Sequence, residues 1–130
     1  MLDHIGLTVS DFSQSRRFYD RALAPLGVAV VMSVGAEETG GYQGAGYGSE
    51  GRPYFWIGAG GGSATGHLHV AFTAPDRRTV DAFYAAALAA GGRDNGPPGV
   101  RAHYHPNYYG AFVLDPDGHN IEAVCHLPPV

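Results

Sequence analysis

Residues 4–27 read HIGLTVSDFSQSRRFYDRALAPLG, and residues 69–92 read HVAFTAPDRRTVDAFYAAALAAGG. Laid over each other at an offset of 65, the two stretches need no gap. Nine of the 24 positions are identical: His4/His69, Thr8/Thr73, Asp11/Asp76, Phe18/Phe83, Tyr19/Tyr84, Ala22/Ala87, Leu23/Leu88, Ala24/Ala89 and Gly27/Gly92. Average residue usage predicts roughly two. The offset is half of the 130-residue chain, so the sequence reads as one domain, 1–130, written twice. Module one covers about 1–65 and module two about 66–130, related by a pseudo-two-fold axis.

Each copy opens as a strand. Ile5, Leu7 and Val9 alternate with His4, Gly6 and Thr8, as Val70 and Phe72 alternate with His69, Ala71 and Thr73. A helix follows, with Asp11 or Asp76 as N-cap and apolar positions at helical spacing. These are Ser15, Phe18, Tyr19, Ala22 and Leu23 in one copy, and Val80, Phe83, Tyr84, Ala87 and Leu88 in the other. Gly27 and Gly91–Gly92 end the helices. Beyond them, Val28–Val34 is expected as a buried strand and Tyr54–Ile57 as another. Tyr108–Leu114 and Asn120–Cys125 form a hairpin around Asp115-Pro116-Asp117-Gly118. Gly35–Gly51, Gly58–Gly66 and Arg93–Asn107 read as loops. The expected class is α+β.

The strand alternation decides where chemistry sits. Apolar residues face the helices, which turns His4 and His69 to the opposite face. In the last strand Ile121 and Ala123 take the apolar side and Glu122 the other. A three-residue loop at Pro116–Gly118 pairs Phe112 with Glu122 and puts Tyr108 and Gly110 on the same face. Two imidazoles and a carboxylate meeting in one cavity suit a catalytic divalent metal. That donor set leaves Fe, Mn, Zn, Ni and Co open.

Bulk properties exclude other classes. The net charge is −4, so no basic face recommends nucleic acid or anionic lipid. No apolar run approaches the roughly 20 residues of a membrane span. A single cysteine, Cys125, and no secretion signal suggest a reducing, cytoplasmic location. Charged residues are only 15% and glycines number 20, which fits close ligand approach and a subunit interface.

Asp3-His4-Ile5-Gly6-Leu7-Thr8-Val9-Ser10-Asp11 with Phe18-Tyr19, then His69-Val70-Ala71-Phe72, then Phe112–Glu122 (FVLDPDGHNIE) together resemble the vicinal oxygen chelate superfamily. It includes glyoxalase I, extradiol dioxygenases, fosfomycin-resistance thiol transferases and bleomycin-resistance proteins. The resemblance spans nearly the whole chain. It implies two βαβββ modules forming a cupped mixed sheet with helices outside, often in a homodimer. It also implies a divalent metal on His4, His69 and Glu122. The implied activity is a metal-dependent dioxygenase, lyase/isomerase or thiol transferase acting on a small oxygen-bearing substrate. The alternative is a bleomycin-resistance-like protein that sequesters a ligand without chemistry. Glyoxalase I has a fourth ligand, a glutamate in module one. The repeat offset from Glu122 lands on Gly58 or Ile57, so that ligand is absent. Extradiol dioxygenases have a tyrosine where this chain has Phe112, and a histidine that His103 or His105 could match.

Around the three ligands, His105 and Tyr108 are the expected proton donor or acceptor. His67 and Phe112 are the expected substrate contacts. Tyr42, Tyr47 and Arg52 read as a lid or interface. Gly46–Gly51 (GYGSEG) matches a dinucleotide fingerprint but precedes a strand, so it is set aside.

Overall fold

A computed structural model describes residues 1–60 and 67–130. Strand β1 (Ile5–Thr8) leads to α1 (Phe12–Ala22), then β2 (Ala29–Val34), a short helix α2 (Ala36–Thr39), β3 (Gln43–Ser49) and β4 (Arg52–Ala59). The second copy runs β5 (His69–Thr73), α3 (Arg77–Ala89), β6 (Arg93–Val100), β7 (Tyr109–Leu114) and β8 (Asn120–Cys125). Two four-stranded mixed sheets result, in orders β1-β4-β3-β2 and β5-β8-β7-β6. β1 and β5 pair in parallel with β4 and β8; the other ladders are antiparallel. Among the described residues no helix is long and apolar enough to cross a membrane.

The helix signals act as read. Asp11 accepts from the Gln14 N–H and Asp76 from the Thr79 N–H, each satisfying a first-turn donor. α1 stops at Ala22 rather than at Gly27, because Pro25 cannot continue its hydrogen bonding. A 3₁₀ turn, Ala24–Leu26, carries the chain to Gly27, which takes the left-handed φ of 75°. Both helices press on one shared core of Phe18, Tyr19, Leu23, Phe55, Phe72, Phe83, Val113 and Ile121. Tyr19, Phe55 and Phe72 form an edge-to-face aromatic chain through it. The modules are also tied by polar bonds. Buried Asp115 accepts from the Tyr19 hydroxyl at 2.5 Å and from the N–H groups of Asp117 and His119. Asp117 in turn accepts from the Ser10 hydroxyl and N–H.

Three expectations need correction. Gly35–Gly51 is not all loop: α2 and β3 lie within it. Arg93–Val100 is likewise strand β6, not loop. Ala29–Val34 is not a buried strand but the outer edge of its sheet, with Val31 and Met32 exposed. The fingerprint-like Gly46–Gly51 falls on β3 and its turn, and opens no helix. Of the expected loop Gly58–Gly66, Gly58 and Ala59 belong to β4, and residues 61–66 lie outside the described residues.

Ladder register relates the two copies closely. Phe112 pairs with Glu122, and Gly46 pairs with Trp56. Gly110 pairs with Val124, and Gly44 with Gly58. Ala71 lies beside Glu122, and its repeat mate Gly6 beside Trp56. The position equivalent to Glu122 is therefore Trp56, rather than Gly58 or Ile57. The carboxylate is absent there all the same.

Candidate functional site

β8 sets the site. Ile121 and Ala123 point into the core, so Glu122 faces the other side of the sheet, where it is only 1% exposed. A bare carboxylate buried this far is costly unless other groups offset the lost hydration. Two neighbours on the same face do so. His69, on β5, places Nε2 3.0 Å from Glu122 Oε1. Tyr108, just ahead of β7, donates its hydroxyl hydrogen to Glu122 Oε2. Gly110 makes room for this pair: a β-carbon there would stand 3.2 Å from Oε2 and 3.3 Å from the Tyr108 ring. The Tyr108 hydroxyl is pushed well above the ordinary phenol range. Burial is the main cause, followed by its hydrogen bond to Glu122 and that carboxylate's charge, with Arg101 pulling the other way. At neutral pH it stays a donor.

The tautomers are informative. His69 Nδ1 lies 3.1 Å from the Asn120 carbonyl oxygen. A carbonyl only accepts, so Nδ1 carries the proton, and a neutral ring turns an Nε2 lone pair toward Glu122 Oε1. A lone pair and a carboxylate oxygen 3.0 Å apart repel each other unless a positive charge is shared between them. Either a proton or a metal ion satisfies that requirement. His4 is set up the same way: its Nδ1 lies 2.7 Å from Asp3 Oδ1, leaving Nε2 available. A ligating histidine whose other nitrogen donates to an oxygen is the usual metal-site arrangement. The donor chemistry therefore fits a divalent cation.

The gathering is partial. His4 is exposed at the start of β1 and lines a cleft of about 690 Å³ together with His69, Ile5, Val70 and Phe72. Among the described residues, however, no three His, Cys, Asp or Glu side chains converge on one point. Within one chain His69 and Glu122 come together and His4 stands apart.

Phe112 shares the face as expected and stacks on His69, with centroids 6.1 Å apart. His105 does not reach Glu122. Its Nδ1 accepts from the Asn107 N–H at 3.1 Å, so its Nε2–H points to His126 Nδ1 at 2.8 Å. The two imidazoles stack on each other, and Tyr108 meets both edge-on. His103 packs on Tyr104 instead. His67 lies over the β7–β8 turn at Gly118. Tyr42 repeats Tyr108 in module one, its ring filling the space above Gly44 and Gly58. Tyr47 is in the core, bonded to Asp20, and Arg52 lines a cleft of about 730 Å³ with His4 and Trp56. Sequence reading missed His126, Arg101 and Trp56. The end of β8 and the repeat register were the signals for the first and last.

A family model describing the Glyoxalase/Bleomycin resistance protein/Dioxygenase superfamily matches residues 1–123. The chain belongs to this superfamily. A glyoxalase/bleomycin resistance protein from Albidiferax ferrireducens T118 superposes with a TM-score of 0.74 at 29% identity, covering 98% of this chain and 99% of that one. A glyoxylase/bleomycin resistance protein/dioxygenase domain from Frankia sp. EAN1pec gives 0.72 at 18% identity, covering 98% of each chain. Glyoxalase I from Zea mays gives 0.68 at 20% identity over 95% of this chain, which spans 43% of the maize enzyme. At those last two identities the likeness is one of fold. No curated protein matches the sequence. The superfamily assignment accounts for the paired modules and the cleft between them, and leaves the reaction to be argued from the side chains.

Proposed function

We propose that this chain is a metal-dependent enzyme of the glyoxalase/dioxygenase superfamily, acting on a small oxygen-bearing molecule held at the His69–Glu122 pair. The observation that carries the reading is the His69 Nε2–Glu122 Oε1 contact, which calls for a shared cation. His69, Glu122 and His4 would hold the metal. When bound, the ion supplies Lewis-acid stabilisation of negative charge on substrate oxygen. Tyr108 fixes the Glu122 carboxylate by holding Oε2, leaving Oε1 as the ligand oxygen. Phe112 shields His69 from water on one face. His105, hydrogen-bonded to His126 and edge-on to Tyr108, would serve as donor or acceptor to substrate.

His4 comes from a second copy in a homodimer. Three features support this. His4 stands outside the His69–Glu122 pair in its own chain. Among the described residues, β1 and β5 each have an unpaired edge, and both line the cleft. The pseudo-two-fold repeat would let β1 of one copy meet β5 of another. The protein purified without chelator or polyhistidine tag is expected to carry about one divalent metal per chain, and Glu122→Ala to carry none. Full retention of metal by Glu122→Ala removes the site assignment.

A ligand-sequestering role is the second reading, favoured by Trp56, which with Tyr54 and His4 lines the adjoining cleft of about 730 Å³. Absence of metal from wild-type protein even after reconstitution, together with tight ligand binding that ignores chelators, selects it.

A further inference from the structure

Trp56 is the chain's single tryptophan, and the ladders define its place in module one. Gly6 on β1 pairs with Trp56, and Ala71 on β5 pairs with Glu122. His4 and His69 each lie two residues before those ladder positions. Trp56 therefore stands to His4 as Glu122 stands to His69. The side-chain faces agree. Phe55 and Ile57 are buried in the core, so Trp56 turns to the other side of the sheet, where it lines a cleft with His4.

The indole is seated there before anything binds. Gly46 is its ladder partner, and a β-carbon on Gly46 would stand 2.8 Å from both the indole and Pro53. Trp56 nevertheless stays half-buried at the cleft wall, where a side chain needed only to fill the space over Gly46 would be covered. The carboxylate's other neighbour is repeated as well. Tyr42 is the mate of Tyr108. Where the Tyr108 hydroxyl donates to Glu122, the Tyr42 hydroxyl lies in the space a β-carbon on Gly58 would need. Module one thus keeps the imidazole and the phenol of module two and has an indole in place of the carboxylate.

We infer that Trp56 occupies the fourth corner of the metal site and is a specificity-determining residue there. This rests on the two-copy site proposed above. A pseudo-two-fold that brings His4 to the His69 and Glu122 of a second copy also brings Trp56 to the place opposite that Glu122. An indole nitrogen donates and has no lone pair to offer, so Trp56 holds the protein ligands at three. The ring closes that corner with a hydrocarbon wall. A bound molecule must turn an apolar side to it, because a polar group pressed against the ring loses its water without gaining a partner.

The test titrates Co(II) into chelator-treated wild type, Trp56→Glu, Trp56→Leu and the double variant Trp56→Glu/Tyr42→Phe, with Glu122→Ala as control. Visible absorption reports the metal's coordination, and the emission of Trp56 reports its distance. Trp56→Glu is expected to bind Co(II) at least about tenfold more tightly than wild type and to change its absorption, because a carboxylate completes the corner. Trp56→Leu is expected to keep wild-type affinity, which separates the gained ligand from the lost ring. Tyr42→Phe is expected to remove part of the gain, since Tyr42 would orient the new carboxylate as Tyr108 orients Glu122. In wild type, bound Co(II) is expected to quench Trp56 in step with the absorption, and Glu122→Ala to show neither signal. A folded Trp56→Glu with wild-type affinity and spectrum overturns the inference. So does Co(II) bound to wild type without quenching, a result that holds even if Trp56→Glu fails to fold. In both cases loss of Co(II) from Glu122→Ala leaves the metal reading standing, and only the Trp56 assignment falls. Wild type that binds no Co(II) overturns both.

Discussion

The two modules share a ladder and differ in what the ladder carries. At one position module two has Glu122 beside Phe112, and module one has Trp56 beside Gly46. The indole takes up the room an aromatic ring has in the other copy: a β-carbon on Gly46 would stand 2.8 Å from it. One copy thus keeps a carboxylate bridged by His69 and Tyr108, while the other presents His4 next to an aromatic wall. A second difference concerns the helices. Tyr19 is fully buried and bonded across to Asp115 of the other module, whereas its mate Tyr84 bonds to Asp94 of its own. Repetition preserves backbone pairing, and the two copies have divided the remaining tasks between them.

The sharpest way to break this asymmetry is to remove each half in turn. Glu122→Ala is expected to weaken metal binding at least about 100-fold, since a ligand should cost no less than its supporting partners do. Trp56→Leu is expected to leave metal affinity unchanged; equal losses would make the two positions alike after all. Next in size is Tyr19→Phe, which leaves Asp115 short of a donor in the core and should cost about 1–3 kcal/mol in urea unfolding. Tyr84→Phe should shift the midpoint little. Comparable shifts for both would show that the inter-module bond is no stronger than the local one.

Tyr108→Phe is the smaller perturbation within module two. It frees Glu122 Oε2 and is expected to reduce metal affinity by about tenfold while the fold persists. No change would mean that Tyr108 does not orient the carboxylate. The smallest effect lies in pH. Burial holds the Tyr19, Tyr47 and Tyr108 hydroxyls above their ordinary value, with Asp115, Asp20 and Glu122 adding to it. Unfolded phenols ionise from about pH 10, where the native ones stay protonated. Their contribution to stability is therefore intact below that pH and lost as pH rises above it. The alkaline fall should be shallower in Tyr19→Phe than in wild type, and an unchanged slope argues against its linkage.

Much of this was legible beforehand, for a physical reason. Strand β8 and the hairpin alternate strictly, so Glu122, Phe112 and Tyr108 fall on one face by period alone. The hidden strands were β3 and β6. In β3, Gly44, Gly46 and Gly48 occupy one face because Tyr42, Trp56 and the Arg52 backbone fill the space above them, which erases the alternation a reader looks for. In β6, Pro97 and Pro98 are tolerated because the strand is an edge with no partner on its outer side among the described residues. Arg101 gave no signal because it follows a strand, and its place depends on how the Tyr108 loop closes. Trp56 was missed because the repeat offset grows by one residue between the first strands and the last hairpins.

The central claim is that His4 and the His69–Glu122 pair come from different copies. It is tested by mixing His4→Ala and Glu122→Ala chains, unfolding and refolding them together, and measuring bound metal. Neither variant alone should hold metal. The mixture should regain about a quarter of the wild-type sites, because half the dimers are mixed and each carries one intact site. A mixture that holds no more metal than its components would contradict the account.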